Sequence, residues 1–222
     1  MTADINRGRY AATGPEAEFE PGSRGRVLRN RLHITSVRAM ELEESEALLA
    51  ITQRLIDEVT VDQCFTTSDI CGMHRKWLGG IYEWAGEYRN VNISKGEFMF
   101  AAATQVPRLM QQFERGPLRN YTPCNMTSIE DQAAALAIVH AEFILAHPFR
   151  EGNGRCGRLL AMLMGLQAGL PALDFGGIRG AKKQAYIASV HSAMDRDYGP
   201  MTAIFREVIA RTLTRSAKNA SV

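Results

Sequence analysis

No stretch of the sequence stays apolar for the roughly 18 residues a membrane-crossing helix needs, so no bilayer span is expected. Met1 to Tyr10 is polar and lacks the apolar core of a signal peptide, so classical secretion is not expected either. Cysteine is scarce: Cys64, Cys71, Cys124 and Cys156 are scattered, with no Cys-x-x-Cys pair. The expectation is a reduced, cytoplasmic setting in which they serve as small, semi-buried residues. An excess of one charge is also missing, with 26 Lys and Arg against 24 Asp and Glu for a net charge of +2. That balance gives no reason to expect direct nucleic-acid binding, which needs basic residues gathered on one face. There is no internal repeat and no low-complexity tract. No G-x-x-x-x-G-K-[ST] occurs, which excludes a P-loop ATPase.

What remains is the composition of an ordinary globular protein, 222 residues with 45% hydrophobic and 23% charged, enough for one well-buried domain. Glycines and prolines among charges from Met1 to Gly25 predict an irregular N-terminal arm over 1–26, a domain over 27–216 and a flexible tail over 217–222. Apolar residues at three- and four-residue steps predict an amphipathic helix from Val37 to Val59 and a second from Ser68 to Trp84, the latter ended by Gly86. The period then shortens. Val91 and Ile93 alternate, and Phe98 and Phe100 do so again beyond Lys95-Gly96-Glu97, which predicts one small hairpin. Thr104 and Pro107 open a helix that Gly116-Pro117 closes, and Thr127 with Glu130 reads as a capping box. The helix that box begins, through Ala133, Leu136, His140, Phe143 and Ala146, is apolar nearly all round and should be buried. It should stop at His147, because Pro148 disfavours a helical residue before it. Another helix is expected from Gly154 to Gly169, then two more over 180–196 and 200–215. The fold class is therefore all-α with one small hairpin.

The chemistry concentrates between the two buried helices, in His147-Pro148-Phe149-Arg150-Glu151-Gly152-Asn153-Gly154-Arg155-Cys156-Gly157-Arg158. Gly152 and Gly154 permit unusual backbone angles where a helix begins with unpaired N–H groups, an arrangement that attracts anions. Arg155 and Arg158, three apart, project as neighbouring planar forks suited to phosphate oxygens. Glu151 adds a negative charge where phosphate would sit, which becomes favourable if a divalent cation bridges the two, and magnesium suits carboxylate and phosphate oxygens. His147 ends the preceding helix, and an unperturbed imidazole, which titrates near ~6.5, is a residue type suited to act as the general base for an attacking hydroxyl. Taken together these residues predict transfer of a phosphoryl or nucleotidyl group to a hydroxyl. His33, His74, His140 and His191 show no metal-binding spacing and read as structural.

The twelve-residue segment matches His-Pro-Phe-x-Asp/Glu-Gly-Asn-Gly-Arg-x-x-Arg at every defined position, so the chain resembles the Fic family. Met73 through Arg89, and His140-Ala141-Glu142-Phe143 leading into His147, look like the same family, the likeness running from about Val27 to Ile209. The resemblance implies a helical Fic bundle and a protein adenylyltransferase that moves AMP from ATP to a Tyr, Ser or Thr hydroxyl of a target protein. By the same resemblance His147 deprotonates that hydroxyl and Phe149 anchors the loop. Glu151 holds Mg2+, and Gly152, Asn153 and Gly154 form the anion hole. Arg155 contacts the phosphates near the scissile bond, and Arg158 grips the γ-phosphate. The hairpin around Lys95, Gly96, Glu97 and Phe98 looks like the flap that pairs with the target as an added strand.

Many relatives are restrained by a Ser/Thr-x-x-x-Glu-Gly/Asn helix. Only Glu151 is followed by Gly or Asn here, and His147 stands four residues before it. Two explanations follow from the resemblance: a separate antitoxin supplies the inhibitory helix, as in the bacterial cytoplasmic toxins of the family, for which a DNA topoisomerase subunit is a target type, or the enzyme is not restrained in this way. Two alternatives differ in chemistry. A Doc-like phosphotransferase carries Lys where this chain has Gly154, and a non-catalytic nucleotide-dependent binding module would show a decayed motif.

Overall fold

A computed structural model of the chain describes residues 11–13 and 18–220. Their elements are mostly helices: α1 (Val37–Glu58), α2 (Thr67–Leu78), α3 (Val106–Phe113), α4 (Arg119–Tyr121), α5 (Ile129–Ala146), α6 (Asn153–Gln167), α7 (Ala181–Ser192) and α8 (Gly199–Ala220). The strands are β1 (Ala11–Thr13), β2 (Asn92–Lys95) and β3 (Phe98–Met99), antiparallel in the order β1-β2-β3. No described helix is long and apolar enough to cross a membrane. The all-α expectation with one hairpin holds.

The residues group into two compact units. The first comprises Met1–Arg54, Thr67–Gln111 and Ala146–Asn153, and the second Leu55–Thr66, Gln112–Leu145 and Gly154–Val222. In the first unit α2 is amphipathic and buries Ile70, Met73, His74, Trp77 and Leu78. The indole N–H of Trp77 donates to the Glu44 carbonyl on α1 (2.8 Å), and the Tyr82 hydroxyl donates to the Glu44 carboxylate (2.7 Å). The hairpin turns at Gly96, whose φ of +60° at the first loop position is one that glycine adopts at little cost, and it pairs Lys95 with Phe98 and Ser94 with Met99. Ala11–Thr13 lie in the segment expected to be irregular, yet they pair with Asn92–Ser94 as a third strand. The rest of that arm, residues 1–10 and 14–17, lies outside the described residues.

In the second unit α5 buries Ala133, Ala135, Leu136, Ala137, Val139, His140, Ala141, Phe143 and Ile144, the all-round burial its sequence predicts. Helix α6 approaches α5 closely at Gly157, where a Cβ would lie 3.1 Å from Phe143 and 3.2 Å from His140. It ends at Gly169 (φ +78°) with Gly169 N–H donating to Leu166 and Leu170 N–H to Gly165, the paired bonds of a Schellman motif. Asp174 accepts hydrogen bonds from Gly176 N–H and from Arg211 and Arg215 on α8. The Gly176 amide first, then the arginines, hold its carboxyl down at about 2.

Several boundaries differ from the sequence expectation. Helix α2 stops at Leu78, before Gly79-Gly80, and Gly86 does not cap it. Instead Gly86 packs on its flank, where a Cβ would lie 2.6 Å from Arg75 Cβ. Gly116-Pro117 does not close α3, since a wide π-turn over Glu114–Leu118 takes in Pro117 and leads into α4. A turn already irregular tolerates the missing proline N–H that would break a regular helix. The cap of α5 is Ser128 rather than Thr127. Its hydroxyl accepts from Asp131 N–H (3.1 Å) and donates to the Asp131 carboxylate (2.6 Å), the three-residue spacing falling one position later than Thr127/Glu130. Helix α8 continues to Ala220, through most of the expected tail.

Candidate active site

Helix α5 ends at Ala146 as Pro148 dictates, and His147 takes a left-handed conformation (φ +45°) that turns the chain away from the helix axis. A non-glycine residue held there costs about 1 kcal/mol or more, so its surroundings must fix it. Arg89 supplies the fixing bonds. Its Nε donates to the His147 carbonyl (2.8 Å) and its main-chain N–H to the Pro148 carbonyl (2.8 Å), while Nη1 and Nη2 reach the carbonyls of Val91 (2.9 Å) and Ala101 (2.6 Å). The guanidinium is buried, so these bonds act in a medium where each counts for more than in water. The imidazole of His147 is also buried, with the ring of Phe100 stacked on it at 3.7 Å between centroids and 22° between planes.

Beyond His147 the loop closes on itself. Phe149, fully buried, stacks on His74 (3.8 Å, 16°). The side chain of Asn153 accepts from Phe149 N–H (2.9 Å) and donates to Phe149 O (2.8 Å), so it ties the loop across four residues. What Asn153 offers an anion is therefore its main-chain N–H at the start of α6. Gly152 has φ +82° and lies against the Trp77 indole. His74 supports this turn from the other side. Gly86 N–H donates to its Nδ1 (2.8 Å), so the ring proton sits on Nε2, which donates to the Glu151 carbonyl (3.1 Å). The structural role expected of His74 is thus a specific one.

Within unit one, then, the structure brings His147, Glu151, Gly152 and Asn153 into one tightly bonded loop. Gly154, Arg155 and Arg158 follow on α6, half-buried, and a Cβ at Gly154 would lie 3.8 Å from Arg158 Nη1, so that guanidinium folds back toward the helix start. Lys95, Gly96 and Glu97 are exposed at the hairpin tip, with Phe98 half-buried on β3. Glu151 is nearly buried, and its Oε1 accepts from Gly152 N–H (2.9 Å). Among the described residues no group of three or more His, Cys, Asp or Glu could hold a metal ion. A lone carboxylate still fits magnesium, which binds through one or two carboxylates with waters and substrate phosphates completing its shell.

His140, on α5, is fully buried with Nε2 2.7 Å from the Tyr186 hydroxyl. Burial is the main cause of its lowered pKa, to about 4. Arg158 pushes the same way, and the Gly157 main chain opposes. Burial likewise lifts Tyr186 to about 12.

Arg89, His74 and Phe100 are the residues to which sequence reasoning gave no site role. The signal was present for two of them, because the Met73–Arg89 stretch carries the family likeness and includes both His74 and Arg89. Nothing in the alternating pattern around Phe100 indicated that its ring would meet His147.

Residues 64–164 match the Fic/DOC family. Over 191 residues the chain is 31% identical to the probable protein adenylyltransferase Fic of Salmonella typhimurium, covering 83% of this chain and 88% of that protein. It is 32% identical over 147 residues to the protein adenylyltransferase VbhT of Bartonella schoenbuchensis, covering 64% of this chain but only 30% of VbhT. The chain thus spans about a third of that relative's length. Among solved structures, a Bartonella tribocorum effector, BepC, crystallised with AMPPNP, superposes with a TM-score of 0.66 at 22% identity, covering 82% of this chain and 91% of that one. That likeness is one of fold. With residues 64–164 matching the family and 83% of its length matched at 31% identity to the Salmonella protein, the chain belongs to the Fic/DOC family.

Proposed function

We propose that this protein is a protein adenylyltransferase that transfers AMP from ATP to a hydroxyl side chain of a target protein. The observation that carries the reading is the loop from His147 to Asn153. Its main chain is bonded at nearly every step, and it leads directly into the N-terminus of α6 with Arg155 and Arg158 in the first two turns. Relatives named as protein adenylyltransferases support the same reading.

In this mechanism His147 takes the proton from the target hydroxyl, whose oxygen attacks the α-phosphorus of ATP as pyrophosphate leaves. The main-chain N–H groups of Gly152, Asn153 and Gly154 receive the α- and β-phosphate oxygens, aided by the positive end of α6. Arg155 offsets charge at the scissile bond and Arg158 binds the γ-phosphate, each as a planar fork. Glu151 would hold Mg2+, which supplies charge neutralisation on the phosphate oxygens when bound. Fixing His147 and the nest before the nucleotide arrives lowers the entropy cost of reaching the transition state. The flap tip, Lys95 to Phe98, receives the target as an added strand.

The reaction is assigned to the bacterial cytoplasm. Restraint by a separate antitoxin and a topoisomerase target follow from family analogy. The test is incubation of the protein with Mg2+, a cell lysate and ATP labelled at either the α- or the γ-phosphate. Label from the α-position on protein supports the reading, and label only from the γ-position replaces it with phosphotransfer.

A further inference from the structure

The hairpin and the His147 loop are joined at two independent points. The first is Phe100, just past β3. Its N–H continues the hairpin ladder to Ile93 O (3.2 Å), and its ring packs on buried Val91 and Ile93 and meets Phe98 edge-on (5.0 Å). The same ring also stacks on the imidazole of His147. The second point is Arg89, whose guanidinium binds the carbonyl on either foot of the hairpin, Val91 before β2 and Ala101 after β3, and also the carbonyl of His147. One planar, three-way fork therefore sets both the spacing of the hairpin's feet and the left-handed turn at His147.

We propose that Phe100 and Arg89 are positioning residues that make the hairpin and the base one mechanical unit, so that the element receiving the target polypeptide also fixes the imidazole that deprotonates it. This rests on the reading of His147 as the base and goes beyond it. An imidazole on two rotatable bonds swings unless something covers its face, and near-attack geometry tolerates little swing. A displacement of about 1 Å can cost ~100-fold in rate. The stack holds the ring's plane and Arg89 holds the main chain that carries it. A lysine at position 89 keeps the charge, but its three donors sit on one nitrogen and cannot reproduce a planar fork whose three separate nitrogens each meet a different carbonyl.

The experiment compares Phe100→Leu, which keeps apolar bulk and loses the ring, with Phe100→Tyr, which keeps it. Two readings are taken. The first is the initial rate of α-label incorporation from Mg-ATP into lysate proteins at varied ATP. The second is the NMR resonances of the His147 ring protons in the isolated protein. Phe100→Leu should lower the maximal rate about tenfold or more with the KM for ATP unchanged, and Phe100→Tyr should recover most of it. In the wild type the His147 ring protons should show the upfield shift of a stacked ring, lost in Phe100→Leu and kept in Phe100→Tyr. Unchanged His147 resonances in the leucine variant overturn the proposal whether or not label is incorporated, as does equal loss of rate in both variants. His147→Ala is the control. If it labels as well as wild type, the assignment of the base itself fails, which a leucine-variant result alone would not show.

Discussion

Gly152 sits so close to Trp77 that a Cβ added to it would lie 2.8 Å from the indole Cζ3, nearer than carbon atoms approach without displacement. Its φ of +82° adds a second obstacle to any side chain. The glycine is needed for closeness and for conformation together, because the turn leading into α6, proposed above as the start of an anion nest, is pressed onto the face of α2.

Gly152→Ala should therefore destabilise the protein by about 1–3 kcal/mol and weaken nucleotide binding as the turn shifts. Urea unfolding with and without ATP checks this. Combining Gly152→Ala with Trp77→Leu should restore part of the nucleotide affinity, since the clash goes while the backbone strain remains. No restoration in the double variant would mean that the strain, not the indole, sets the requirement.

The two nitrogens of His74 have separate partners, Gly86 N–H and Glu151 C=O, and amide side chains can replace them one at a time. His74→Gln places a donor near the former Nε2, and His74→Asn an acceptor near the former Nδ1. Both lose the stack on Phe149 and should lose similar thermal stability. The nucleotide dissociation constant in the presence of Mg2+ should rise several-fold more for Asn than for Gln, because an unanchored Glu151 carbonyl frees the carboxylate beside it. Each unmade buried bond costs about 1–3 kcal/mol. Equal affinities in the two variants would reduce His74 to a packing residue.

Acid should destabilise the protein through His140. Burial lowers its folded pKa to about 4 from the ordinary histidine value of 6.5, so below pH 6.5 the unfolded chain takes up a proton that the native state refuses. The contribution is complete above 6.5, is lost progressively as pH falls to about 4, and is worth about 3 kcal/mol over that window. His140→Gln can keep a bond to the Tyr186 hydroxyl and should flatten this part of the stability curve. Unfolding free energies at half-unit pH steps test it.

Much of this was legible in local patterns. The period of α1 gives its two ends, Pro148 gives the end of α5, and the motif gives the loop. What was not legible depends on contacts far along the chain. Gly86 carries the same local signal as a helix cap, and only the approach of Arg75 shows that it serves a close flank instead. Pro117 ordinarily ends a helix, but a π-turn absorbs it. Ser128 and Thr127 are equivalent candidates for a cap until the geometry selects Ser128 and Asp131. The roles of Arg89, His74 and Phe100 involve partners 58, 77 and 47 positions away, the last counted from residue 100 to 147, and no periodicity reports such pairs.

Transfer of AMP by His147 is read most plainly from the mass of a modified target peptide recovered after incubation with unlabelled ATP and Mg2+. A protein adenylyltransferase adds the mass of one adenylyl group to a Tyr, Ser or Thr hydroxyl, and no such mass appears when His147→Ala protein is used. An added phosphate in its place, or adenylylation that persists in the His147→Ala protein, would contradict AMP transfer by His147.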